Sequence, residues 1–141
     1  ARTNYYTIKA SKNKFLESIK DYLISPVLKR VYTDGKIIFN VGIKSGYTAL
    51  SQLTSVVDDS IQTYAVSRTT YKSIEDNCRE SLDMFSLNDK IFKIEVWRYD
   101  PMIFMADNCV DRLSLYLSFA NDNDERTEES LEELMKEINN G

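Results

Sequence analysis

Between Lys93 and Glu125 the chain reads KIEVWRYDPMIFMADNCVDRLSLYLSFANDNDE, a strand, a turn and a short helix in close succession. The alternation from Ile91 puts Phe92, Ile94 and Val96 on one face of the strand, and Lys93, Glu95 and Trp97 on the other. Asp100 before Pro101 starts a turn, and Asp111 stands where a cap is needed for a helix carrying Leu113, Leu115, Tyr116 and Leu117. A strand that passes this quickly into a helix restricts the chain to a mixed α/β architecture.

Other segments extend the pattern. Ser11 precedes apolar positions at helical spacing, Phe15, Leu16, Ile19, Tyr22 and Leu23, with Pro26 beyond the end. Its Lys12, Lys14 and Lys20 make a solvated face. Val27–Thr33, the turn signal Asp34-Gly35 and the β-rich Lys36–Val41 read most simply as a hairpin, with a strand and an extended excursion as the alternative. Ser45 is placed to cap a helix from about Gly46 to Val56. Thr63–Ser67 reads as a buried strand, followed by a helix through Ile74 capped by Thr69 or Thr70. Ser81–Asn88 reads as loop or a loosely ordered helix end. At the end of the chain Asp122 and Glu125 form a capping box for an amphipathic helix, with Leu131, Leu134, Met135 and Ile138 on one side. Glu128, Glu129, Glu132, Glu133 and Glu137 cover the other side. The expected fold is α/β, of the mixed α+β kind: a small mixed sheet flanked by helices.

Composition limits what such a domain does. The chain has 141 residues, 43% of them hydrophobic, which suits one core burying roughly two-thirds of the unfolded surface. Its net charge of −4 gives no general attraction to a phosphate backbone. Histidine is absent, which removes the commonest general base and zinc ligand. With four glycines and no Gly-rich phosphate motif, a nucleotide-cradling loop is hard to build. No cofactor and no metal is implied. Cys78 and Cys109 read as buried reduced thiols. With no span of about 20 apolar residues and no secretory pattern, a cytoplasmic location is expected.

Three sets of residues compete for a functional role. Lys44, Ser45 and Gly46, at a helix start, would hold a small anion, or simply cap the helix. Trp97 and Tyr99, with Phe39, would border a pocket for a flat ligand, or pack as core. Glu95, Asp100 and Asp111 would have to converge to act as a metal-dependent site, and Trp97 occupies the position where a nuclease of the Asp…Glu-x-Lys type carries lysine. Arg98 and Arg112 are expected to pair with these acids and orient the strand end against the helix start. The candidate ligand or partner surface is therefore Ser45, Gly46, Tyr47, Trp97, Arg98 and Tyr99, with Asp100, Asp111 and Asp122 as structural caps and no catalytic residue.

The segments Glu95-Val96-Trp97-Arg98-Tyr99-Asp100-Pro101, Val110–Ser118, Asp124-Glu125-Arg126 and Leu131-Glu132-Glu133-Leu134 together resemble the C-terminal domain of bacterial winged-helix (MarR-like) transcriptional regulators. Ser25–Arg30, Gly46–Ser51 and Tyr64–Ser67 occur in a similar order in that group. A more distant likeness is to the C-terminal part of AbiEi-type antitoxin regulators. The resemblance implies a domain that does not touch DNA and that dimerises, senses a signal or docks a protein. Residues 1–10, with Arg2-Thr3-Asn4-Tyr5-Tyr6-Thr7-Ile8, are similar to the last wing strand of an upstream DNA-binding domain, or a linker from it. Residues 11–141 then form a single C-terminal regulatory or dimerisation domain. The expected partners are a second copy, a small-molecule effector or another protein, with DNA contacted only through the upstream domain and no membrane. The alternatives are an antitoxin-type interaction domain and a carboxylate-based metal enzyme.

Overall fold

Phe92–Trp97 lies at the centre of a five-stranded sheet and is paired on both sides. The computed structural model describes residues 25–86, 89–119 and 124–140. Expectations for the strand at 3–8, the helix from Ser11 to Leu23 and the Asp122 cap lie outside the described residues. Among those described, the strands are β1 (Val27–Thr33), β2 (Ile43–Lys44), β3 (Thr63–Ser67), β4 (Cys78–Arg79) and β5, in the order β2-β3-β5-β1-β4. β5 runs parallel to β3 and antiparallel to β1, so the sheet is mixed as expected. The helices are α1 (Ile38–Val41), α2 (Gly46–Leu53), α3 (Arg68–Ile74), α4 (Arg112–Ser118) and α5 (Glu125–Asn140).

The alternation in β5 separates two cores. Phe92, Ile94 and Val96 pack with Val31, Tyr64 and Val66 beneath Ile38 and Ile74. Trp97 faces the other way and joins Ala65, Leu50, Leu115 and Leu134, contributed by β3, α2, α4 and α5. Helices and turns therefore cover both faces, and the central strand is buried along its whole length apart from Lys93. α5 has the expected polarity: Leu134 and Met135 are buried while Glu128, Glu129, Glu132, Glu133 and Glu137 are exposed. Its first-turn Arg126 N–H is taken by the Asp124 carboxylate at 3.0 Å.

Three local expectations are corrected. Lys36–Val41 is not the second strand of a hairpin. Successive tight turns, Phe39 N–H to Lys36 O at 3.1 Å and Asn40 N–H to Ile37 O at 2.9 Å, coil it into α1. The place beside β1 is taken by β4 and β5, and coiling drives Ile38 into the core, so packing overrides local β propensity. α3 is capped by Ser67, whose Oγ accepts the Thr70 N–H at 3.1 Å, rather than by Thr69 or Thr70. α2 ends at Leu53 rather than Val56: Thr54 turns extended, at φ −136° and ψ −175°, and its hydroxyl oxygen accepts the Val56 N–H at 3.3 Å. Among the described residues between Arg79 and β5, Leu82–Met84 forms a 3-10 turn.

Candidate functional site

Ser45 and Gly46 form the turn between β2 and α2. Gly46 has φ +54°, and a Cβ there would stand 3.0 Å from the Thr63 side chain, so both backbone and space demand glycine. Ser45 occupies the N-cap position but makes no side-chain cap. Its hydroxyl instead donates to Glu95 Oε1 at 2.6 Å, which leaves it committed to a protein carboxylate rather than to an external anion.

Glu95 is the most unusual residue of the interior, a carboxylate only 2% exposed in the middle of the sheet. Oε1 accepts from Ser45 Oγ and from Trp97 Nε1 at 3.2 Å, while Oε2 pairs with Arg30 Nε at 3.0 Å across the β1–β5 ladder. Arg30 also donates to Ser118 O at 3.3 Å. The buried charge is thus balanced and fully hydrogen-bonded, and it ties β1 and β5 to the start of α2 and the end of α4. Trp97 is wholly buried with its indole N–H on Glu95, whereas Phe39 lies on the opposite face of the sheet against Phe92 at 4.9 Å. Trp97, Tyr99 and Phe39 therefore do not border one pocket, and Trp97 packs as core, the other reading of these aromatics.

Tyr47 bridges two helices. Its hydroxyl shares a hydrogen bond with the buried Thr127, and the Arg126 guanidinium lies 4.1 Å from its ring centroid while pairing with Asp59 at 3.1 Å. Nearby, Ser55 donates twice to Glu133, which holds that carboxyl below its usual range.

The strand end and the α4 start are joined, but not by the expected arginine pairs. Arg98 Nε donates to Ser25 O at 3.0 Å, and Arg112 pairs with Glu137 at 2.9 Å. The link is Tyr99, whose hydroxyl lies 2.6 Å from Ser114 Oγ; burial pushes its phenol pKa up. Asp111 caps α4 as expected, accepting the Ser114 N–H at 3.0 Å, and Asp100 accepts the Met102 N–H at 2.9 Å to set the turn. Glu95, Asp100 and Asp111 each hold separate parts of the backbone and side-chain framework. Among the described residues no group of three or more Cys, Asp or Glu side chains is arranged to hold a metal ion.

The feature that sequence reasoning missed follows immediately. Met102, Ile103, Phe104 and Met105 are all exposed, Ile103 at 59% and Phe104 at 70%. The loop presenting them is held at both ends. Pro101 is buried, and Ala106 and Cys109 exchange two backbone hydrogen bonds of 3.0 Å around Asp107 and Asn108, both with positive φ. The same turn is bound to β2 through Lys44 N–H to Asn108 O at 2.9 Å and Val110 N–H to Lys44 O at 3.0 Å. A run of four large apolar residues between turn formers, with neither strand nor helix periodicity, was the available signal.

Both cysteines are free and buried, and burial pushes both thiols up. Among the described residues no helix is long and apolar enough to cross a membrane. Comparison with family models, curated proteins and solved structures gives no match at a significant level.

Proposed function

We propose that this is a protein-association domain, acting as the regulatory or dimerisation part of a bacterial winged-helix transcriptional regulator. The observation that carries the association reading is the apolar loop Met102–Met105, exposed and covered by no described residue, on a frame of backbone hydrogen bonds. Contiguous exposed apolar surface of this kind marks sites of association more often than it marks catalysis. The regulator reading is supported by the segments around Glu95–Pro101, Val110–Ser118 and Leu131–Leu134 that resemble such domains. A domain that pairs two copies would set two upstream DNA-binding units at a fixed separation, which is how a two-fold regulator matches two half-sites.

Translating the genomic reading frame upstream of Arg2 tests the regulator reading. A helix-turn-helix pattern running into the tyrosine-rich 3–8 segment is the expected result, and a native start codon at this point would remove the reading. The antitoxin-type alternative uses the same loop against an unlike protein. Met102 and Met105 favour it to the extent that unbranched thioethers adapt to varied surfaces. Co-expression with the product of the neighbouring gene separates the two: a stable one-to-one complex supports the alternative.

A further inference from the structure

We infer that Tyr99 and the loop Met102–Met105 form a two-fold contact with a second copy of this chain. The inference deepens the proposed association role and rests on it. Tyr99 is 40% exposed, and with the four loop side chains it leaves on the order of 500 Å² of largely apolar surface per chain. Two such patches face to face remove at most about 1,000 Å² from water, the lower edge of specific interfaces and the size of a weak, reversible one. An apolar patch of this size matches the largest patch on a typical monomer, which is often a functional surface.

Self-association fits the chemistry of the loop better than a lipid surface does. In a two-fold contact each residue near the axis meets its own copy, so a charged centre would repel itself; this one carries no charge between Pro101 and Ala106. The flanking groups, Asp100 and Asp107, are acidic, and the chain carries a net charge of −4. Both oppose insertion into an anionic lipid surface, which draws basic flanks. The loop is also prepared for binding. The Asp100 and Ala106–Cys109 turns, the buried Pro101 and the anchor to Lys44 fix its backbone before contact, so little ordering entropy is lost on association. Tyr99 is fixed in the same way through Ser114.

Sedimentation velocity over a concentration series of the 141-residue chain tests this, with Phe104→Asp and Phe104→Ser as loop variants. Val57→Asp, at an exposed apolar residue outside the loop, is the control. Circular dichroism checks that each variant is folded. The expected result is a concentration-dependent dimer whose dissociation constant rises at least tenfold in both loop variants and stays within twofold in the control. A chain that stays monomeric at every concentration overturns both this contact and the dimerisation role. A dimer untouched by the folded loop variants overturns the contact alone and leaves dimerisation standing. Flotation of a monomeric chain with vesicles of phosphatidylserine and phosphatidylcholine, lost in Phe104→Asp, would assign the loop to lipid and overturn the inference.

Discussion

Glu95 and Phe104 are nine residues apart and reverse the ordinary placement of their residue types. The carboxylate is 2% exposed in the centre of the sheet, and the phenyl ring is 70% exposed at the tip of a loop. Inside, the charge is kept because every available interaction is made: two donors on one oxygen, and a cross-strand guanidinium on the other. Outside, no described residue covers the ring, although the turn beneath it is bonded through Ile103 N–H to Asp100 O at 3.2 Å and Met105 N–H to Met102 O at 3.4 Å. A buried polar group with full hydrogen bonding explains itself by the fold, whereas an exposed apolar group that no described residue covers is the feature on which the proposed association rests.

The contrast is most easily broken at Glu95. Glu95→Ala strands the buried Ser45 hydroxyl and Trp97 indole N–H and releases Arg30, so a loss of about 3 kcal/mol is expected from urea unfolding. A loss under about 1 kcal/mol would mean that water replaces the carboxylate. Next comes Gly46→Ala, expected to destabilise by about 2 kcal/mol through positive φ and the approach to Thr63, with Ser45 pulled away from Glu95.

A smaller effect is expected from alkali. Burial raises the pKa of Cys78, Cys109, Tyr64 and Tyr99, so the unfolded chain gives up these protons at lower pH than the folded one. Their contribution is whole below the unfolded thiol range of about 8.5 and is lost as pH rises through the folded values. The urea midpoint should therefore fall between pH 8 and pH 10.5, and a midpoint that rises over that window would contradict the burial of these groups. In keeping with that burial, both thiols should react with Ellman's reagent only after denaturant is added. The smallest change in stability belongs to the loop: Phe104→Ser should alter monomer stability by no more than about 0.5 kcal/mol. A larger loss would show that the ring is packed within its own chain and would erase the contrast with Glu95.

Much of the framework was legible in the sequence because it depends on periodicity and local hydrogen bonding. The alternation in Phe92–Trp97 assigned the two faces of β5, the stripe Leu131–Leu134–Met135–Ile138 identified α5, and Asp111 capped α4 through a bond to an amide three residues away. Local chemistry failed where a distant group competed for the same atoms. Ser45 has the placement of a cap, but Glu95, fifty residues on, takes its hydroxyl. Arg98 and Arg112 have acids close in sequence, yet the backbone of Ser25 and the carboxylate of Glu137 lie nearer in space. Lys36–Val41 has the composition of a strand, but β4 and β5 already occupy both sides of β1.

By itself, then, the sequence determined the mixed α/β class, the buried faces of its central strand and the polarity of its last helix, since each follows from side-chain spacing along one element. Only the tertiary structure decided that Glu95 is enclosed with Arg30, Ser45 and Trp97, and that no described residue covers Met102–Met105 beside β2. Both outcomes depend on which elements meet across the sheet, and hydrophobic pattern says that a residue wants cover without saying whether the rest of the chain supplies it.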